Sequence, residues 1–368
     1  MSDYHLFRFT RNFNAGQAFV QQTRNGLTAP QAVLWFGLAL GLAFGALAEI
    51  TRLCLRRAVA GETAERGPAL GVWLAALAAA LIGTQAIVAT GLVSFDAHRF
   101  FAADLPALAI ILGGLMFGVG MVLTRGCVSR LTVLTASGNL RALFVLLVFA
   151  ITAHATLVGV LAPVRVALGG MTVPLGEVTS LAALPGGALV WTAALAAAAL
   201  VIAARTDARP LDLGLALLLG LLVPLGWAGT GYIFYDDFDP VALESLSFTA
   251  PVAATLFWTI ASTSISPGFG VGLIGGTFAG ALLAALLSGR FQWQSFEAPA
   301  QTGRYGAGAV LMGAGGVLAG GCTIGAGLAG VPTLSLAALL ALASIVAGGW
   351  IAGRLDRRAE VPQAVPAE

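Results

Sequence analysis

The sequence contains few charged side chains and no lysine. Only 10% of its 368 residues are Asp, Glu, Lys or Arg, and all 19 basic residues are arginine. Soluble globular domains carry about 25% charged residues. This scarcity excludes a soluble domain as the main architecture. The formal net charge of +2 is also too small to indicate a nucleic-acid partner.

Cysteine is scarce as well, and its spacing matches neither a disulfide framework nor a zinc site. The three cysteines are Cys54, Cys127 and Cys322, and no CxxC pair is present. An odd count without CxxC argues against a disulfide framework and against a zinc knuckle. No nucleophile–base pair, phosphate-binding loop or metal motif stands out in the sequence. We therefore predict no enzymatic activity, no metal and no cofactor.

Apolar sequence is abundant: 58% of the residues are hydrophobic. A transmembrane helix needs about 20 mostly apolar residues, and many such runs are present. These observations predict an all-α polytopic membrane protein. The apolar segments lie at approximately 31–51, 69–93, 105–123, 141–162, 184–203, 211–228, 250–265, 268–288, 305–320 and 333–353.

The number of crossings depends on residues 250–288. Pro267 and Gly268 divide this stretch, and its first piece is short. We predict one span plus a partial helix here, which gives about nine transmembrane helices together with short re-entrant or broken helices. Irregular backbone at membrane depth must line a cavity or pack on protein, because lipid cannot satisfy its polar groups.

The charges between segments predict the orientation, because short cytoplasmic loops are enriched in arginine. Arginines follow the first and fifth segments, whereas the loop after the sixth segment is acidic. We predict that the arginine-rich loops are cytoplasmic and that the acidic loop and the N-terminus are outside. The residues are Arg52, Arg56, Arg57, Arg66, Arg205 and Arg209 on one side, and Asp236, Asp237, Asp239 and Glu244 on the other.

The predicted organisation is a single membrane domain with polar ends. Residues 1–30 form a polar N-terminal arm without an evident cleavable signal peptide, and residues 354–368 form a cytoplasmic tail. Between them, residues 31–353 form the membrane domain. Its two halves cover about 31–165 and 211–353, and a connecting helix covers about 184–203.

An internal repeat relates the two halves. "GGLMFGVGMVLTRGC" (113–127) aligns with "GAVLMGAGGVLAGGC" (308–322) at a constant offset of 195 residues. With nine crossings, the two copies point in opposite directions through the bilayer. Inverted repeats with helices broken at matching places indicate a transport site near the midplane.

The cysteines that close these copies are candidates for that site. Gly126 and Gly321 can adopt positive φ and end a helix, so a short helix can begin after each cysteine and offer free N–H groups to an anion. A neutral thiol is a weak S–H donor that suits a soft sulfur anion and lets it leave again. Small buried hydrophobes and glycine-mediated helix packing are the simpler alternative.

For several other polar residues the sequence favours a structural role or leaves structural and functional roles open. Glu49 is predicted to pair with Arg52, three residues further along the helix. His154 lies in an apolar span and is predicted to pack, although a proton-coupling role is the alternative. Four polar residues after Cys127 either line a path, cap a helix or bond between helices: Thr132, Thr135, Ser137 and Asn139.

The repeated motifs resemble the YeeE/YedE family of bacterial sulfur-transport membrane proteins. The resemblance rests on "GGLMFGVGMVLTRGCVSRL", "VLAGGCTIGAGLAG", "LIGTQAIVATGL" and "LESLSFTAPV", and it covers nearly the whole chain after residue 30. It implies thiosulfate import across a bacterial inner membrane by an hourglass-shaped helical protein with two pseudo-symmetric halves. It also implies that Cys54, Cys127 and Cys322 pass the ion inward through S–H···S contacts.

The resemblance leaves other substrates and classes open. The segment "LCLRRAV" (53–59) is more arginine-rich than the family pattern, and some relatives are proposed to handle selenium or other sulfur species. A separate cytoplasmic sulfurtransferase is a predicted partner, because no such domain is seen in this sequence. The alternatives from other classes are a membrane thiol oxidoreductase, which would need paired cysteines, and a structural protein whose glycine motifs only pack.

Overall fold

The computed structural model describes residues 28–176, 178–236 and 240–360. Within these ranges, nine helical segments are long and apolar enough to cross a membrane. The all-α polytopic fold and the number of crossings are therefore confirmed. Most of the predicted N-terminal arm, residues 361–368 of the tail, and Asp237 and Asp239 of the acidic loop lie outside the described residues.

Thirteen α-helices make up most of the described chain. They are α1 Ala29–Thr51, α2 Leu55–Ala60, α3 Thr63–Ala89, α4 Ala107–Leu123, α5 Val128–Ala136, α6 Leu140–Leu157, α7 Ala162–Gly169, α8 Gly187–Ala204, α9 Pro210–Ala228, α10 Thr249–Ile260, α11 Phe269–Leu287, α12 Pro299–Leu318 and α13 Leu336–Glu360.

The remaining elements are short. Two π-helical segments cover Gly229–Ile233 and Thr323–Gly330, and single 3₁₀ turns cover Arg99–Phe101, Leu181–Ala183 and Val331–Thr333. Strands β1 (Asp104–Leu105) and β2 (Val173–Pro174) pair antiparallel, with Asp104 opposite Pro174 and Leu105 opposite Val173.

Three of the nine spans are broken helices, and one apolar helix is too short to cross. The broken spans join α1 to α2, α4 to α5, and α12 to the π-helical segment Thr323–Gly330. Helix α10 has only 12 residues. It is the partial helix predicted before Pro267, so the chain returns from it into α11 without an additional crossing.

Glycines let α1 and α11 pack at backbone contact. A Cβ at Gly37 would strike the backbone of Phe269, and a Cβ at Gly45 would strike the backbone of Thr277. Such small residues allow membrane helices to approach closely. Because the contacting residue numbers rise together, α1 and α11 run parallel.

Helices α4 and α12 carry the two copies of the sequence repeat, and they run antiparallel. Gly113 at the start of the first copy faces the backbone of Ala319, whereas Gly120 faces the backbone of Gly308. One number rises as the other falls. The predicted opposite directions of the two copies are therefore confirmed.

The packed core surrounds the breaks in these helices, and the outer surface is apolar. Phe44, Phe117 and Phe149 are almost completely buried in the same cluster as Cys127 and Cys322. Large aliphatic side chains such as those of Leu189 and Leu287 remain exposed on the outside. An apolar exterior of this kind is what a helix bundle presents to lipid.

Candidate functional site

Each cysteine begins a short helix directly after a break in a longer one. Cys54 is the N-cap of α2, Cys127 is the N-cap of α5, and Cys322 is the N-cap of the π-helical segment Thr323–Gly330. All three have extended backbone dihedrals at this position. The predicted short helix after Cys127 and after Cys322 is confirmed, and Cys54 has the same arrangement.

The three breaks also share one backbone conformation. The residue two positions before each cysteine is left-handed: Arg52 has φ 53°, Arg125 has φ 59° and Gly320 has φ 75°. The sequence predicts this turn at Gly126 and Gly321, which is wrong by one residue. A left-handed residue ends a helix because it turns the chain away from the helix axis, which leaves the cysteine to start the next helix.

The thiols lie close to one another at the centre of the fold. Cys54 and Cys127 are within hydrogen-bonding reach of each other. The Cys127 Sγ is 3.2 Å from Ser129 Oγ. The buried Thr323 hydroxyl faces the same thiol, and among the described residues it has no other partner. Cys127 is therefore flanked by the segment that follows Cys322.

Backbone N–H groups at the short helices point toward the sulfur atoms. Gly325 N donates to Cys322 Sγ over 3.4 Å. The N–H groups of Arg57 and Arg130 approach Cys54 and Cys127 in the same way, without forming a regular cap hydrogen bond. All three thiols are buried, and none of them is in a disulfide. Each sulfur thus sits at the positive end of a helix, where negative charge is stabilised.

A cavity of about 450 Å³ opens next to Cys54. Its wall carries six arginines and two glutamates, so its lining is strongly basic. Arginines that follow the first apolar segment, a region predicted to be cytoplasmic, line this cavity, and we refer to it as the inner cavity. The charged residues are Arg52, Arg56, Arg57, Arg125, Arg130, Arg290, Glu49 and Glu65.

Ion pairs hold part of this lining in place. Arg57 lies 3.2 Å from Glu65. The buried Glu49 carboxylate lies 3.1 Å from Arg130 and 3.8 Å from Arg290. The predicted pairing of Glu49 with Arg52 was wrong, because Arg52 adopts the left-handed conformation that ends α1 and no longer continues the helix on which an i,i+3 pair depends.

A second cavity, of about 470 Å³, lies on the opposite side of the thiols. Its titratable lining residues are His98, Arg99 and Glu244, and we refer to it as the outer cavity. Surrounding protein raises the pKa of Glu244, which Arg99 partly offsets. The same enclosure, with Arg99 as the smaller cause, lowers the pKa of His98 to about 4. His98 is therefore neutral at physiological pH.

The outer cavity reaches the third cysteine. Gly325, whose N–H bonds Cys322, is part of its wall. Arg99 interacts electrostatically with both Glu244 and Cys322. The order across the molecule is therefore outer cavity, Cys322, Cys127 with Thr323, Cys54 and inner cavity. The structure brings the three predicted cysteines together between two openings.

The other polar residues singled out in the sequence form hydrogen bonds or pack, and two of them, Ser137 and Asn139, also lie on the wall of the inner cavity. Thr132 and Thr135 donate to carbonyls one helical turn back, and Asn139 caps α6. His154 stacks on Phe257, in line with the predicted packing role. Within the part of the chain that the structure describes, no group of three or more His, Cys, Asp or Glu side chains could hold a metal ion.

Sequence reasoning missed Arg99 and Thr323 as site residues. Arg99 begins a short 3₁₀ turn with no motif of its own, and the fold brings it near Cys322. Thr323 directly follows a cysteine in the repeat, but its register partner in the first copy is Val128. Comparing the two copies position by position could have indicated Thr323, whereas nothing in the sequence indicates Arg99.

A bundle with inverted broken helices, whose breaks meet between two cavities, defines a multi-pass membrane transport protein. The chain belongs to the sulphur transport family, whose model matches residues 50–351. Because this is a family of transport proteins, the expectation of a transporter rather than an enzyme is confirmed.

Two relatives carry a more specific name. The thiosulfate transporter TsuA of Spirochaeta thermophila is 28% identical over 344 residues, which cover 86% of this chain and 97% of that protein. The thiosulfate transporter TsuA of Escherichia coli K12 is 26% identical over 306 residues, covering 77% of this chain and 82% of that protein.

Proposed function

We propose that this protein imports thiosulfate, or a closely related sulfur anion, across a bacterial inner membrane. The anion passes from the outer cavity to Cys322, Cys127 and Cys54 in turn and leaves through the inner cavity. The observation that carries this proposal is the position of the three thiols, each at a helix N-terminus, between two cavities. The names of the two relatives support the choice of anion.

The chemistry of the thiols fits a soft anion. A neutral S–H is a weak donor, so it can replace part of the hydration of a sulfur atom without holding the ion tightly. Conduction needs sites that bind strongly enough to admit an ion and weakly enough to release it. The fixed charges of Arg99 and of the inner arginines lie at the two ends, where they attract the anion without trapping it at the centre.

The first test is removal of the central thiols. We expect Cys127→Ala and Cys322→Ala to reduce uptake of ³⁵S-thiosulfate into proteoliposomes by about 10- to 100-fold, because a hydrogen bond to a charged group contributes about 1.5–3 kcal/mol. Cells that depend on thiosulfate as their sulfur source should then nearly stop growing.

Ser344→Ala is the matched control. It removes a buried hydroxyl that bonds only within its own helix, so uptake should stay near the wild-type rate. All variants are compared at equal membrane expression and equal thermal stability in detergent. Normal uptake by both cysteine variants would rule out the relay.

The same purified protein can distinguish thiosulfate from other substrates, and a transporter from a thiol oxidoreductase. Selenium oxyanions and sulfate are added as competitors, and the strongest competitor identifies the preferred ion. A thiol oxidoreductase would require a reducible disulfide, so titration of the purified protein distinguishes that class. We expect three free thiols per chain, consistent with the three free cysteines in the structure.

A separate cytoplasmic sulfurtransferase is the partner that we predict to accept the imported sulfur. The basic inner cavity supports this proposal, because a thiolate or an acidic surface on the acceptor would be attracted to it. We expect a sulfurtransferase to co-purify with the protein from the source cells, and we expect it to be lost at high salt.

A further inference from the structure

The repeat extends beyond the glycine–cysteine motifs to two acidic residues. "EITRLC" (49–54) and "ESLSFT" (244–249) stand at the same offset of 195 residues that relates Cys127 to Cys322. Glu49 therefore corresponds to Glu244, and Cys54 corresponds to Thr249. The structure places Glu49 on the wall of the inner cavity and Glu244 on the wall of the outer cavity.

At the inner cavity, the Glu49 carboxylate lies between two arginines. Its Oε2 is 3.1 Å from Arg130 Nη1 and its Oε1 is 3.8 Å from Arg290 Nη1. Arg130 is also within electrostatic reach of the Cys54 thiol. Arg56 Nε, in the same cavity wall, is buried and has no hydrogen-bond partner among the described residues. Its guanidinium adds positive charge to the cavity wall that Arg130 and Arg290 also line.

At the outer cavity, a carboxylate again faces an arginine. Thr230 fixes the backbone of Glu244: its hydroxyl accepts from Glu244 N over 3.0 Å and donates to Glu244 O over 2.6 Å. These contacts leave the carboxylate on the cavity wall, where it interacts with Arg99. Arg99 also interacts electrostatically with Cys322.

We propose that Glu49 and Glu244 are paired tethered anions, one at each end of the thiol path. Each carboxylate competes with the transported sulfur oxyanion for the arginines at its cavity. This inference rests on the proposed function and adds an anion subsite at Arg130 and Arg290 and another at Arg99.

The competition explains how a dianion can leave an arginine-rich cavity. An oxyanion that arrives from Cys54 displaces Glu49 and is bound by Arg130 and Arg290. When the carboxylate returns to the arginines, the anion is expelled into the cytoplasm. Without a tethered competitor, the same arginines would hold the anion and slow the transport cycle, because conduction requires release as well as binding.

The simplest alternative is that Glu49 has a purely structural role. Arg130 and Arg290 also donate to the carbonyls of Ala48 and Glu49 at the end of α1, and such contacts stabilise a helix C-terminus. A structural role predicts that a neutral residue at position 49 weakens the fold and leaves the anion affinity unchanged or reduced. It gives no reason for a carboxylate at the matching position of the outer cavity.

The deciding variant is Glu49→Gln, which removes the charge and keeps the shape. We expect purified Glu49→Gln to bind ³⁵S-thiosulfate about tenfold more tightly than wild type, because a like charge beside the site no longer opposes binding. Its maximal uptake rate in proteoliposomes should fall about tenfold, because release becomes slow. Glu49→Asp keeps the charge and should bind close to wild type.

Glu244→Gln tests the outer position and keeps the inference testable if the position-49 variant does not fold. We expect its KM for uptake from outside to fall several-fold, with ³⁵S-sulfate as a second probe of the same site. Asp356→Asn is the control: Asp356 pairs with Arg304 at 2.9 Å outside both cavities, so binding and uptake should not change.

The outcomes separate this inference from the proposed function. If wild-type protein neither binds nor transports thiosulfate, the proposed function fails. If wild type transports but both glutamine variants bind and transport like wild type, or if Glu49→Gln binds more weakly, the tethered-anion role is overturned. In the latter case, Glu49 holds the end of α1 and has no part in anion release.

Discussion

We expect the side chain of Glu244 to make the proposed uptake dependent on external pH. The titratable side chains on the outer cavity wall are His98, Arg99 and Glu244. Enclosure by protein raises the pKa of Glu244, so its carboxylate becomes neutral at a higher pH than an exposed one. Protonation removes the negative charge beside Arg99, and anion binding then strengthens. We therefore expect initial uptake to rise as the external pH falls through the pKa of Glu244.

The measurement is the initial uptake rate over about pH 4.5 to 8, a range that lies above the ordinary carboxyl pKa, with the internal pH held constant. Glu244→Gln should flatten the profile. His98 cannot produce the effect above pH 5, because its pKa is about 4. An equally steep profile in Glu244→Gln would show that another group carries the pH dependence.

At the same scale, the sequence predicted the cysteines but not their surroundings. Cys127 and Cys322 could be found because a repeat marks them. Arg99 and the true partners of Glu49 could not, because each interaction joins residues that are far apart along the chain, such as Glu49 and Arg130. Local spacing favours an i,i+3 pair, and that inference fails where a helix ends between the two residues.

At the level of elements, the breaks before the cysteines depend on left-handed residues. Gly320 has φ 75°, and a Cβ built there would meet no atom within 4 Å. Gly320→Ala therefore introduces backbone strain without a steric clash. We expect it to lower the free energy of unfolding by about 1–2 kcal/mol, the cost of a left-handed conformation for a residue with a Cβ.

Gly303→Ala provides the comparison for that prediction. Gly303 lies within α12, also has open space around its Cβ position, and has no positive φ. Alanine there should be neutral or stabilising by up to about 1 kcal/mol, because alanine favours the helix. Denaturant unfolding of both variants in detergent checks the difference. Equal stabilities for the two variants would show that the turn at position 320 tolerates a side chain.

The helix bounds show what hydropathy can and cannot predict. The segment predicted at 211–228 agrees with α9, Pro210–Ala228, within one residue. The segments predicted to begin at 69 and 305 begin earlier, at Thr63 and Pro299. Their first two turns carry polar residues such as Glu65 and Arg304, so a hydropathy pattern detects only the part that lies in hydrocarbon. Proline at the first helical position is a signal that could have marked Pro299.

At the scale of the whole molecule, helix pairs occur twice. Helix α1 packs on α11, and the helices that correspond to them through the repeat, α9 and α3, pack on each other. In the same way, α4 packs on α13, and the corresponding α12 packs on α6. Because the copies run in opposite directions, each presents its short helix and its acidic residue to a different side. One sequence motif, used twice, therefore builds both cavities and the thiols between them. The predicted halves at about 31–165 and 211–353 stay a prediction about domain organisation.

The orientation of the molecule decides the direction of the proposed path. The cavity with six arginines should face the cytoplasm, because arginine is enriched on that side. A reporter that folds only in the cytoplasm should be active when fused after Asp207, between α8 and α9. A reporter that folds only outside should be active after Gly176, in the loop before α8. The reverse pattern would place Cys54 at the outer end, and the same three thiols would then carry the anion out of the cell.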